Sequence, residues 1–229
     1  VTSIGYSAFQ YCSSLTSAIM GNNVTSFGDL VFQDCKSLIS IVLPNTVQTI
    51  GGGLFCGCEA LTSVVLPENL DSLLTERPYH LGFFENCHSL SSITLPEYLI
   101  TIGDDAFYYC DAVETVSVDS NNTHFESLGA NVIVKLEENV ISDDETEIVK
   151  TLIFGSKNTD FGLLDGVHVI GRSAFAGQTG LTSVTVPASV TTIDSTAFEY
   201  CEGLTSFAIA EGNSVYDSRN DCNAIIETA

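Results

Sequence analysis

Metal binding, proton transfer and nucleophilic attack need histidine, cysteine or acidic side chains at short, convergent spacings, and this chain offers four histidines, eight cysteines and 29 acidic residues. His80, His88, His124 and His168 share no metal-ligand spacing, and none occupies a repeated position. No glycine-rich phosphate loop, G-x-S-x-G elbow or H-E-x-x-H occurs. Cys56-Gly57-Cys58 is too tight for a zinc knuckle and has no second ligand pair. The acidic run Glu137–Glu147 carries six carboxylates in eleven residues, and Asp143, Asp144, Glu145 and Glu147 are hard oxygen donors of the kind calcium takes. The alternating Asp/Asn and glycine spacing of a calcium loop is missing, so a solvated charge run is expected. The expectation is no catalytic residue, no metal ligand and no cofactor.

The cysteines are better explained by position. Cys12, Cys35, Cys58, Cys87, Cys110 and Cys201 each follow a phenylalanine by three residues, and the phenylalanines Phe9, Phe32, Phe55, Phe84, Phe107, Phe175 and Phe198 lie 23, 23, 29, 23, 68 and 23 residues apart. One unit of 23 residues, with insertions of six and 45, explains the series. A fixed period in this range marks a solenoid, whose units bury their apolar faces only against neighbours. Stacking turns the cysteines into one interior column of small, slow, free thiols, the alternative being disulfides between adjacent rungs. Gln178 stands in that column in the sixth unit, so the position does not require sulfur, and Gln178→Cys is expected to be nearly neutral.

Leu181–Cys201 shows the unit most completely: L-x-x-Φ-x-Φ-P, then Φ-x-x-I-(G/D), then x-x-A-F-x-x-C, with Φ apolar. In Leu38–Leu43 the alternation sends Ile41 and Leu43 inward and Ser40 and Val42 outward. Pro44 and Pro67 end their strands by removing a ladder donor. A second short strand follows, as at Val47–Ile50, and then one turn of helix or 3₁₀ around Ala-Phe. Near Leu74–His80 six extra residues form a surface loop whose Arg77, Tyr79 and His80 are candidate contacts. From about 119 to 165 a longer insertion contains two strand-like runs, Val132–Val134 and Ile148–Phe154, read as a β-hairpin joined by a mobile acidic loop. A second insertion is expected over about 210–229, because Asn213–Ser218 echoes Asn122–Ser127.

The repeated unit resembles the BspA-type leucine-rich repeat, the 23-residue class. The likeness covers almost the whole chain, departing from the pattern at the six-residue insertion, Val113, Gln178 and Phe207. It implies an α/β repeat solenoid: a right-handed leucine-rich-repeat solenoid of seven repeats with a parallel β-sheet, short helical turns and a β-hairpin insertion. Residues 1–229 would form a single solenoid fragment. The resemblance further implies a cell-surface or secreted protein that adheres to host matrix or other cells. The chain starts in mid-unit at Val1–Gly5, so any signal or anchor is expected outside it.

The net charge of -22 argues against nucleic acid and anionic membrane surfaces as partners and favours basic protein segments. No apolar run approaches the roughly 18 residues of a membrane span. Oligomeric state is not legible. Outward strand positions offer a flat, hydroxyl-rich sheet, and the candidate partner-binding face is Ile19, Ser40, Val42, Ser63, Val65, Ser92, Thr94 and Thr115. Its ligand would be a host matrix or cell-surface protein. The alternative is a structural spacer that holds another domain away from the cell and binds nothing itself.

Overall fold

The apolar alternation of the L-x-x-Φ-x-Φ segments builds short parallel ladders whose register equals the repeat length. The structure is a computed structural model that describes residues 1–74, 81–129, 131–142, 145–217 and 226–227. Two compact units divide the chain, Val1–Thr123 and His124–Ala229. In the first, Ser40–Val42 lies parallel to Ser63–Val65, pairing Ser40 with Ser63 and Val42 with Val65. Ser92–Leu95 lies parallel to Thr115–Val118, pairing Ser92 with Thr115 and Thr94 with Ser117. A second parallel ladder runs through Ser3–Ile4, Ser26–Phe27 and Thr49–Ile50, and another joins Ser72–Leu73 to Thr101–Ile102. In the second unit Ser183–Val186 and Ser206–Ile209 repeat the first kind of ladder. The coils therefore stack as a parallel β solenoid. Leu38, Ile41 and Leu43 point into the core, and the residues between them face solvent.

Proline and cysteine set the corners. Val47, Leu70, Leu99 and Val190 each donate their N–H to the carbonyl of the proline three residues earlier. Leu15, Leu38, Leu61, Leu90, Val113 and Leu204 do the same to the cysteine carbonyl three residues earlier. Each unit thus bends at fixed points, and both bends are local.

The Ala-Phe segments are turns and not helices; the only helical element among the described residues is a 3₁₀ turn at Phe161–Leu163. That corrects the expected α/β character and the expected short helical turns. The physical reason lies in where the N–H groups go. Those of Ser7, Phe9 and Tyr11 donate to Asp29, Val31 and Gln33 of the next coil, each at 2.9 Å. Those of Ala8, Gln10 and Cys12 close turns to Gly5, Ser7 and Phe9 within the coil. An α-helix needs every N–H for the residue four before it, whereas here every second one leaves the coil. The backbone achieves this with left-handed residues two before and two after the phenylalanine, such as Leu30 (φ 59) and Asp34 (φ 56) around Phe32. Glycine fills these places at Gly53, Gly57 and Gly177, where its freedom is needed.

The phenylalanines plug the core in a continuous stack within each unit. Phe9, Phe32, Phe55, Phe84 and Phe107 follow one another at 5.4–5.8 Å with nearly parallel rings. In the second unit Phe175 stacks on Phe198 at 5.1 Å and on Phe161 at 5.5 Å. Phe161, supplied by the 3₁₀ turn, occupies the rung place that a preceding coil would fill.

The long insertion is a hairpin, built further than its sequence suggests. Val132–Ser142 pairs antiparallel with Glu145–Gly155, through to Ser142 opposite Glu145. The run Glu137–Glu147, expected as a mobile loop, therefore belongs to the hairpin arms, apart from Asp143 and Asp144, which lie outside the described residues. Phe125–Leu128 adds a strand to one side, and Thr151–Leu152 pairs in parallel with Val169–Ile170 on the other. The hairpin is thus spliced into the ladder of second strands, which continues to Thr192–Ile193. Its base is buried through Val132, Val134 and Leu152 against Val167, Ile170 and Phe175. Gly155 makes the join possible, because a Cβ there would sit 2.2 Å from the Phe175 ring.

Candidate partner-binding face

The strand that carries the face is held by its alternate residues, so outward side chains are displayed without having to pack. Ser40, Val42, Ser63, Val65, Ser92, Thr94 and Thr115 are all exposed, and Ile19 reaches 97% exposure. Val42 and Val65, at 61% and 56%, are register partners and lie side by side as a short apolar column. Ser63 stacks on Ser40, and Thr115 on Ser92. The Thr94 and Ser117 hydroxyls lie 2.9 Å apart.

The face is not a uniform sheet. Ile19 sits outside the regular ladder, which reaches its coil only through a bridge between Ser17 and Ser40. Ile19 and Val42 line a shallow hollow of about 340 Å³ with Pro44. Between Ser63–Val65 and Ser92–Leu95 the ladder opens, and the two strands are joined through Ser91, whose N–H and hydroxyl both donate to Thr62 O at 3.3 Å. The opening leaves a groove of about 660 Å³ between Val65 and Thr94, walled further by Pro96 and Tyr98 and rimmed by Glu68, Glu97 and Asp119. The last four residues escape the strand alternation because they follow the point where the strand ends. For Glu68 and Glu97 the signal is instead the phase just after the proline, where Asn45 also stands, whereas Asp119 takes the proline's own place. The loop candidates Arg77, Tyr79 and His80 lie outside the described residues.

The groups with chemical potential are occupied structurally. Cys35, Cys58, Cys87, Cys110 and Cys201 donate their thiols to Phe9, Phe32, Phe55, Phe84 and Phe175 carbonyl oxygens of the preceding coil, at 3.1–3.3 Å. All seven described cysteines are free. Burial pushes the Cys35 thiol up to about 11 and raises those of Cys56, Cys58, Cys87 and Cys110 well above their ordinary range. Gln178 uses the same place differently: its Oε1 accepts the Lys157 N–H at 2.8 Å. The neighbour there is the end of the hairpin, which presents an N–H. That makes the expected neutrality of Gln178→Cys incorrect. His88 Nδ1 lies 3.0 Å from Asp111 Oδ1, and the Lys150 N–H donates to His168 Nδ1 at 3.2 Å. Among the described residues no group of three metal-ligating side chains is assembled, and no helix is long and apolar enough to cross a membrane.

The coil geometry has relatives among solved structures. A leucine-rich cell surface protein of Faecalibacterium prausnitzii superposes with a TM-score of 0.66 at 23% identity, covering 90% of this chain and 58% of that one. A leucine-rich repeat protein of Bacteroides ovatus gives 0.54 at 26% identity, covering 93% and 42%. The pneumococcal vaccine antigen PcpA gives 0.56 at 18% identity, covering 93% and 61%. The chain thus spans about half the length of the first two. A search of curated proteins finds no match. The family model described as BspA type leucine rich repeat region matches residues 1–80, 80–159 and 146–222. With that match over nearly the whole length, and with a structure of stacked parallel coils, the chain belongs to the BspA-type leucine-rich repeat family.

Proposed function

We propose that the outward strand face of the Val1–Thr123 unit is a protein-binding surface, and that the chain serves adhesion at a cell surface or after secretion. The observation that carries this reading is the Ile19, Val42 and Val65 set, three aliphatic side chains held in water on a strand face lined mainly by hydroxyls, with Ile39 and Glu114 also outward. Exposed apolar groups gathered on a rigid frame are the usual mark of a contact surface. The description of the Faecalibacterium relative as a cell surface protein supports the location. Catalysis has no support from the arrangement of polar groups, so the reading is binding without turnover. Matrix proteins or proteins of another cell are the ligand class. Arg77, Tyr79 and His80 remain candidate contacts from the six-residue insertion. Against a panel of matrix proteins and cells, wild type should bind, and Val42→Glu plus Val65→Glu should bind at least tenfold more weakly while melting normally. Equal binding by both proteins would remove the strand face as the site.

A second reading is a spacer without its own ligand. It is favoured by the lack of large anchors among the eight face residues, since hot spots elsewhere are rich in Trp, Tyr and Arg. Failure of the wild-type protein to bind any member of the panel would support it.

A further inference from the structure

The groove where the strand ladder opens gathers three carboxylates beside an apolar wall. Its apolar wall is Val65, Leu66, Pro96 and Tyr98, and its rim is Glu68, Glu97 and Asp119. Tyr98 is 55% exposed, so its ring is presented to solvent. The Asn121 N–H donates to Asp119 Oδ1 at 2.9 Å and fixes that carboxylate at the rim. No described lysine, arginine or histidine lies in an ion-pair contact with Glu68, Glu97 or Asp119; among the described residues of this unit, such contacts join Lys36 to Glu59 and His88 to Asp111. The hollow at Ile19 and Val42 has no acidic lining residue. Acidity therefore separates this groove from that hollow.

We propose that this groove seats a lysine or arginine side chain from an extended basic segment of a protein partner. The inference rests on the strand-face reading, because Val65 and Thr94 belong to both surfaces. Long basic side chains carry an aliphatic stem and a cationic head. The stem matches the Val65, Leu66 and Pro96 wall, and the head reaches the three carboxylates while lying beside the Tyr98 ring, where a cation is attracted to the π face. A neutral segment would leave the carboxylates repelling one another, and an acidic one would add to that repulsion. The net charge of -22 draws the same partners from a distance. The groove then decides where they dock.

The test titrates the full chain with an acetyl-capped, amidated hexapeptide of alternating lysine and alanine, and with its glutamate counterpart, followed by backbone amide NMR. The lysine peptide should shift the amides around Val65, Glu97 and Tyr98, and the glutamate peptide should shift none. Glu68→Gln plus Glu97→Gln should weaken lysine-peptide binding about tenfold or more, whereas Glu202→Gln plus Glu211→Gln, equal in charge change but in the other unit, should stay within about twofold. Equal weakening by the two pairs, or shifts scattered over the acidic surface, would mean diffuse attraction and overturn the inference. Matrix-protein binding lost in Val42→Glu but unchanged in the groove pair would overturn the basic-segment inference and leave the strand-face reading standing. Binding unchanged in both would overturn the two together.

Discussion

A single phenylalanine per coil carries much of the core, and its burial follows its rung. Phe107 is 5% exposed and stacks on Phe84 at 5.8 Å, so Phe107→Ala should cost about 3–5 kcal/mol in urea melts. Phe9, 37% exposed, should cost less under the same truncation. The thiols beside these rings provide a pH test. Cys35 rises from the ordinary 9.0 to about 11 when folded, so between those values the folded chain holds a proton that the unfolded chain has released. Stability therefore falls as pH rises through that window, with a slope of about 1.4 kcal/mol per pH unit for each such thiol. Urea midpoints should drop steeply above about pH 9, and Cys35→Ala should flatten the slope after allowance for its own cavity cost. Native labelling should reach exposed Cys12 quickly and Cys58 and Cys110 only on unfolding. Gln178→Cys, by contrast, should cost about 1–3 kcal/mol, because it leaves the Lys157 N–H without its acceptor.

At the level of elements, the turn row and the hairpin make separable claims. Most coils place non-glycine residues in the left-handed region at a cost of roughly 1–2 kcal/mol each, and tolerate this because the N–H groups so directed bond to the next coil. Tyr200 (φ 56) occupies the place that Gly57 and Gly177 hold elsewhere, and is exposed. Tyr200→Gly should raise the melting midpoint slightly or leave it unchanged, whereas Gly177→Val should lower it. The hairpin is buried only at its base. Replacing residues 138–148 by Asn-Gly, which closes the ladder at the Glu137–Val149 pair, should leave the melting temperature within a few degrees, since the contact of Glu147 with the coils, to His168 Nε2 at 3.7 Å, is long, half-exposed and of little worth. A large loss would show that the distal arms stabilise the coils.

For the chain as a whole, a net charge of -22 predicts that added salt raises stability by screening self-repulsion while it weakens attachment to basic partners. A thermal melt and a binding titration over the same salt series should therefore move in opposite directions. The sequence alone determined the coil: a 23-residue period, inward and outward strand positions, the phenylalanine and cysteine columns and the corners at proline, because each depends on residues close along the chain. It also determined the exposure of Ile19, Val42 and Val65, which follows from alternation. The tertiary structure decided what depends on a neighbouring coil. Whether an Ala-Phe segment winds into a helix is settled by carbonyls 22 residues away that claim every second N–H. Whether the acidic run is loop or strand is settled by the ladder that fixes the hairpin base. The Gln178 amide finds its partner only once the insertion has folded back, and the groove at Glu68, Glu97 and Tyr98 exists only because the parallel ladder opens between two coils, an event that no single segment of sequence records.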